Sequence, residues 1–360
     1  MAEIVPISGY NDRVALHRVL PLSTPFTVNV FPVNACNFRC VYCAQSLGKR
    51  AMREQYNFDV SRRMTLETFS RLVEQSKAFE RPYKLLSFMG HGEPLLHVEL
   101  PEMVAMAAKA GIAERIEIIT NGSLLTPELS DRLIAAGVTN LRVSLQGLSA
   151  AAYKKTSRVL LDFEGFLSNL NYFHTAGRSH GAHLFVKILD STLNAGEEEA
   201  FYAMFDSLCS RMYIEKVKPV YAGVDATSHV HDMATDRYGN PHPPRQVCPL
   251  AFFSLAVWPD GEITPCDAIY RPVSLGNVNE RSVVELFCGE TANAFRTQLL
   301  LGKKNVLPGC KLCCAPDDVS QAEDELDQHA PALLEFYAAA VRIPEFPEKT
   351  DELHDAYERI

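Results

Sequence analysis

Between residues 26 and 221, short runs of β-branched and aromatic residues alternate with longer stretches whose apolar positions recur every three or four. The short runs predict strands near 26–33, 84–89, 115–120, 141–145, 184–190 and 213–221. The longer stretches predict helices over 65–79, 97–110, 127–136, 163–176 and 196–210. Thr126-Pro127-Glu128 marks one helix start, with a capping hydroxyl, a first-turn proline and a carboxylate suited to the helix dipole. Six repeats of strand then helix predict an α/β fold, a parallel sheet or partial barrel whose ligands lie at the carboxyl ends of the strands. Residues 1–25 read as a lead-in broken by Pro6, Pro21 and Pro25. The pattern lapses over 222–247, a Pro-, His- and Asp-rich stretch read as a linker or lid. It resumes over 248–315, where Pro259-Asp260-Gly261 between two apolar runs signals a hairpin. Residues 316–360 form an acidic, partly helical tail, with Pro344 and Pro347 near its end.

Composition narrows the function classes. A net charge of −9 argues against a nucleic-acid partner, which calls for a basic footprint. No apolar run approaches the ~18 residues of a membrane span. The first residues lack a basic-then-apolar leader, so a cytoplasmic location is expected. Ten cysteines in such a chain point to metal ligation or redox chemistry rather than disulfides.

Three of the ten stand in Cys36-Asn37-Phe38-Arg39-Cys40-Val41-Tyr42-Cys43, directly after the first strand. Three thiolates from one short loop hold a cubane iron–sulfur cluster with one iron left open to a small molecule. A zinc site borrowing a fourth ligand is the alternative. After the second strand comes Gly90-His91-Gly92-Glu93-Pro94, where glycines allow close backbone approach and Glu93 can accept a hydrogen bond from an ammonium group.

The two motifs together resemble the radical S-adenosylmethionine (SAM) superfamily, over residues 26–221. The resemblance implies a partial (β/α)6 barrel and a [4Fe-4S] cluster on Cys36, Cys40 and Cys43. It also implies SAM chelated to the open iron and cleaved to a 5'-deoxyadenosyl radical that abstracts a substrate hydrogen. Tyr42 then lies near adenine, and Gly92, Glu93 and Pro94 meet the SAM amino group. Ser144 contacts ribose, Arg158 pairs with the SAM carboxylate, and Thr120-Asn121-Gly122 line the cavity. His91 and Gln146 depart from the glycine and aspartate of many members. An electron donor such as flavodoxin or ferredoxin is the implied protein partner.

A second cysteine set, Cys248, Cys266, Cys310 and Cys313, resembles the Twitch domain, a shortened SPASM domain, with Leu275-Gly276-Asn277-Val278 between its pairs. It implies one auxiliary [4Fe-4S] cluster; Cys314 is the alternative to Cys313, and four-cysteine zinc the alternative metal. The single set, with seventeen residues between Cys248 and Cys266, is similar to aminocyclitol dehydrogenases. The resemblance therefore implies oxidation of a carbinol-type small molecule, a sugar or aminocyclitol, with the auxiliary cluster as electron acceptor. Peptide maturation, which would make the substrate a peptide, and epimerisation are the alternatives, and a zinc-stabilised binding protein is the non-enzymatic one. Further candidates are Lys187, Lys216 and Lys218 on the last two strands and Cys288 or Cys314 as hydrogen donors. Cys209 and, in Leu286-Phe287-Cys288-Gly289, Cys288 both read as small buried hydrophobes. His229, His231 and His242 read as an exposed loop rather than a metal site.

Overall fold

The computed structural model describes residues 1–6, 13–228 and 234–339; His229, His231, Pro344 and Pro347 lie outside them. Among the described residues ten strands form one sheet: β1 (Glu3–Ile4), β2 (Thr27–Val30), β3 (Leu85–Phe88), β4 (Ile116–Thr120), β5 (Asn140–Leu145), β6 (His183–Leu189), β7 (Arg211–Glu215), β8 (Ser254–Val257), β9 (Glu262–Thr264) and β10 (Gly276–Asn277). Their order is β1-β7-β6-β5-β4-β3-β2-β8-β9-β10. Neighbours are parallel from β1 through β8, and β9 and β10 are antiparallel. The sheet does not close, as the partial barrel expected from the sequence requires.

Alternation along the strands explains both faces. Val28, Val30, Leu86, Phe88, Ile118, Leu141, Val143, Val186 and Ile188 are buried among the helices in the main core. The opposite face carries Ser87, Glu117, Arg142, Lys187 and Glu215, an unusually charged interior. The helix over Pro127–Ala136 starts where expected, its first turn capped by Thr126 Oγ1 accepting from the Leu129 amide. Helices Gly48–Tyr56 and Ala150–Ser157 were not anticipated. The first buries only Met52 and Tyr56, so it offers almost no apolar stripe.

The expected hairpin forms, but not as a separate small sheet. Strand β8 pairs in parallel with β2, continuing the barrel sheet past its first strand and covering an edge that would otherwise be open. The last barrel strand is shorter than expected. It stops at Glu215, because the Lys216 amide turns away to the Arg237 carbonyl and Pro219 follows.

The described part of the expected linker is pinned down. The Arg237 guanidinium bonds Asp318, with Nε donating to Oδ1 at 2.9 Å, and Arg245 donates to the carbonyls of Pro316 and Gln321. His242 is held beside Asp317, at 3.8 Å, and so is less exposed than expected. A second core of Leu16, Phe252, Phe295, Leu299, Leu333 and Tyr337 binds the N-terminal segment and the C-terminal helix Ala330–Ala339 to this region. Among the described residues, no helix is long and apolar enough to cross a membrane.

Candidate active site

The cysteine loop leaves the carboxyl end of β2 and is stitched to three neighbouring segments. The Glu93 amide donates to the Ala35 carbonyl at 2.8 Å, and the Arg39 and Val41 amides donate to Ser157 and Thr156. Asn121 Nδ2 donates to Asn37 Oδ1 at 2.8 Å. Gly92 has to be glycine. A Cβ there would lie 2.1 Å from the Val33 carbonyl oxygen and 2.7 Å from that of Ala35. The loops after β2 and β3 therefore touch backbone to backbone.

Glu93 is buried, and its carboxylate accepts from the Leu95 amide (2.9 Å), Thr120 Oγ1 (2.5 Å) and the Asn121 amide (2.7 Å). Burial pushes its pKa up, against these donors. The residue thus anchors the ends of β3 and β4. A carboxylate offers about four acceptor sites, so roughly one remains for a ligand. Tyr42 donates its hydroxyl to Gln146 Oε1, and Gln146 Nε2 donates to the Ser144 carbonyl. Gln146 thus holds the tyrosine in place. Arg158 is exposed and forms the left-handed cap of helix Ala150–Ser157, beside the segment that holds the cysteine loop.

Cys40 is buried, and Cys36 and Cys43 are partly so. Burial raises all three thiol pKa values, Cys36 to about 12, and their mutual repulsion raises Cys36 and Cys40 further. Such a group ionises only beside a strong positive charge, which a bound metal centre supplies.

Cys248, Cys266, Cys310 and Cys313 line one small apolar cavity of about 20 Å³, and Lys304 is its charged neighbour. Burial pushes Cys248 to about 12 and Cys313 to about 11. Cys314 does not line this cavity; it faces Asp318 and Arg237. Among the described residues no group of three His, Cys, Asp or Glu has the arrangement of a single-ion site. Both sets gather sheltered thiols, the ligand type an iron–sulfur cluster takes.

The remaining candidates separate. Lys187 lies inside the barrel, its Nζ 2.7 Å from Glu215 Oε2. Arg237 approaches the same carboxylate oxygen at 3.8 Å, and Arg142 pairs with Glu117 at 3.4 Å. Burial favours a neutral Glu215, but Lys187 and Arg237 outweigh it and hold the pKa below its ordinary value. Lys216 is exposed, because the strand has already ended. Lys218 is buried and donates to the Thr235 carbonyl. Cys209 is buried, as expected.

Cys288 is exposed and reaches the Ser23 carbonyl, near where the chain enters β2. That is the amino end of the strands, opposite the cysteine loop, so Cys288 is not placed to give hydrogen to a substrate there. The sequence reading missed Gln45, Tyr221, Arg142, Glu215 and Arg237. Gln45 Nε2 donates to the carbonyls of Asn34 (2.9 Å) and His91 (2.7 Å), two residues beyond the last cysteine. Strand alternation alone flags Arg142 and Glu215 as sharing the Lys187 face.

Residues 30–195 match the radical SAM superfamily, and residues 248–314 match the SPASM iron–sulfur cluster-binding domain. The chain is 31% identical over 144 residues to a GTP 3',8-cyclase of Acidothermus cellulolyticus, covering 39% of this chain and 38% of that protein. It thus spans well under half the length of that relative. It is 26% identical over 320 residues to the tungsten-containing aldehyde ferredoxin oxidoreductase cofactor-modifying protein of Pyrococcus furiosus, covering 78% of this chain and 85% of that one. Its fold is shared with BtrN in complex with AdoMet and 2-DOIA, at TM-score 0.52 and 18% identity, covering 80% of this chain and 92% of that one.

Proposed function

This chain belongs to the radical SAM superfamily and carries a SPASM domain, and from that premise we propose that it oxidises a polar carbinol-bearing small molecule by two electrons. Its cofactors are SAM, a [4Fe-4S] cluster and further iron–sulfur binding in the SPASM domain. When loaded, the first cluster supplies the electron that cleaves SAM to methionine and a 5'-deoxyadenosyl radical. We assign it to Cys36, Cys40 and Cys43, and an auxiliary cluster to Cys248, Cys266, Cys310 and Cys313.

The observation that carries the oxidative reading is the four-thiol cavity in the region that continues the barrel sheet. A substrate radical at carbon must lose one more electron and one proton to end as a carbonyl, and a closed cluster can take up that electron. Glu93 fixes the ends of β3 and β4, and Gln146 fixes Tyr42, so the proposed SAM-binding groups are held before ligand arrives. Lys187, Glu215, Arg142 and Arg237 give the interior a charged lining. This lining suits a substrate with hydroxyl or amino groups over an apolar one.

The test is an anaerobic screen of sugars, aminocyclitols and a peptide pool, scored for substrate-dependent 5'-deoxyadenosine and for product mass. Product two mass units lighter than a carbinol substrate is expected. Product of unchanged mass carrying one solvent deuterium would establish epimerisation instead, and turnover confined to peptides would establish a maturase.

A further inference from the structure

The turn over Gly90–Pro94 is held from two sides. On one side it sits on the cysteine loop, backbone to backbone, through Gly92 and the Glu93 amide. On the other side the His91 ring reaches the auxiliary cysteine region. Its Nε2 lies 3.1 Å from the backbone oxygen of Asp267, the residue after Cys266. A backbone carbonyl only accepts, so Nε2 carries the hydrogen and donates it. Nδ1 lies 3.1 Å from the Tyr221 hydroxyl, a second contact that fixes the rotation of the ring.

Aromatic packing sets the ring plane. Trp258 is stacked on His91 with ring centroids 5.9 Å apart, and Phe31 and Phe58 meet the ring edge-on at 5.6 and 5.8 Å. All three neighbours are buried. Trp258 leads on into the auxiliary region. Its Nε1 donates to Thr264 Oγ1 at 2.9 Å, and that hydroxyl donates to the Cys266 carbonyl at 2.8 Å. Two successive carbonyls, of Cys266 and Asp267, are thus held by the stacked pair, one through Thr264 and one directly. The His91 carbonyl meanwhile accepts from Gln45 Nε2 at 2.7 Å. Main chain and side chain of one residue therefore tie the cysteine loop to the auxiliary segment.

We propose that His91 is a positioning residue that fastens the SAM-binding turn to the Cys266–Asp267 segment, so that SAM binding and the order of the auxiliary segment are energetically coupled. It rests on the assignment of SAM to Gly92, Glu93 and Pro94. A turn held in place before the ligand arrives costs less to order on binding. The bond from Nε2 to the Asp267 carbonyl therefore adds to SAM affinity without touching SAM. Coupling of this kind is reciprocal, so bound SAM in turn steadies the Cys266–Asp267 segment.

The test is calorimetric titration of the reconstituted holoenzyme with SAM, with iron content as the control for assembly. H91F keeps a ring against Trp258 and loses the donor, and its SAM affinity should fall about fivefold, the worth of one neutral hydrogen bond. H91N carries its amide N–H too close to the main chain to reach the Asp267 carbonyl, and its affinity should fall as far. H91Q places an amide N–H where Nε2 stood and should stay within about twofold of the parent. A role in packing alone would reverse this order, with H91F closest to the parent.

Hydrogen–deuterium exchange reads the reciprocal effect. Saturating SAM should slow exchange over residues 262–269 about fivefold in the parent and in H91Q, and should leave it unchanged in H91F. The inference is overturned if H91F with parental iron binds SAM within about twofold of the parent, or if H91Q falls as far as H91F. It is equally overturned if SAM leaves exchange over 262–269 unchanged in the parent. Should H91F not retain parental iron, H91N against H91Q decides on the same terms. An E93A chain that binds SAM as tightly as the parent would instead overturn the placement of SAM at this turn, and the coupling with it.

Discussion

Replacing Gly92 by alanine tests the backbone contact on which the site is built. The added Cβ would sit 2.1 Å from the Val33 oxygen, 2.7 Å from the Ala35 oxygen and 2.8 Å from the Asn34 carbonyl carbon. All three are main-chain atoms, so no side chain can swing away. Relief requires the segments to part by about 1 Å, a displacement of the size that costs 1–3 kcal/mol in overpacked interiors. Parting them also stretches the bond from the Glu93 amide to the Ala35 carbonyl, another ~1 kcal/mol. We expect G92A to lose about 3 kcal/mol of stability in urea unfolding of the anaerobically purified chain. SAM affinity by calorimetry should fall at least about tenfold, since each ~1.4 kcal/mol of misplacement at Glu93 and Cys36 is a factor of ten. Gly111 is the control. It caps helix Leu100–Ala110 at φ 64° with nothing within 4 Å of an added Cβ. G111A should cost only the left-handed backbone penalty, about 1 kcal/mol, and leave SAM binding unchanged. G92A within about 0.5 kcal/mol of the parent, with parental SAM affinity, would show that the two loops are not in the contact described.

The auxiliary ligand set predicts that C313A loses about four irons per chain on reconstitution while C314A keeps them, measured by iron analysis with circular dichroism as the folding control; the reverse pattern would move the ligand to Cys314. The His91 pKa, lowered to about 4 by burial against a gain from the Asp267 carbonyl and a further loss to nearby Arg271, sets a pH dependence. Because the folded value lies below the ordinary 6.5, this contribution is complete above pH 6.5 and is lost as pH falls toward 4, by up to about 3 kcal/mol. Urea midpoints from pH 7 to 4 should therefore fall further in the parent than in H91F, and equal slopes would show that the ring is already solvated.

The strand–helix alternation was legible because a parallel sheet covered by helices writes apolar residues into every outward position, as Val28, Val30, Leu141 and Val143 show. The cysteine loop and the Gly-Glu-Pro turn were legible because their chemistry is carried by contiguous residues. Tyr221 gives no such signal: the sequence sets it at the end of a strand over 213–221, whereas that strand stops at Glu215 and the tyrosine meets His91 six residues beyond it. The parallel pairing of β8 with β2 was also hidden, since a hairpin signal fixes the partner of β9 but says nothing about what lies on the other edge of β8. Cys288 looked like a core residue from its neighbours Leu286 and Phe287, yet it ends its helix and faces outward. Helical position, not local composition, decided it.

The charged interior completes the argument about substrate. Glu117, Arg142, Lys187, Glu215, Arg237 and Asp318 supply three carboxylates and three cations, joined in pairs or shared contacts from β4 across to the segment beside Cys314. Taking such charges out of water costs several kcal/mol per ion, and their attraction only roughly repays it, so a buried network of this kind is a poor way to stabilise a barrel. Apolar residues at the same inward positions would pack as well and fold as readily. Arg237 also gives the network a second task, because it ties the end of β7 to Asp318, four residues beyond Cys314. The wall that would meet a polar substrate is therefore built from the same ion pairs that fasten the auxiliary cysteine region to the barrel. Substitutions at Arg237 should consequently disturb substrate selection and auxiliary-region geometry together, whereas substitutions at Lys187, which touches only Glu215 in this set, should separate the two.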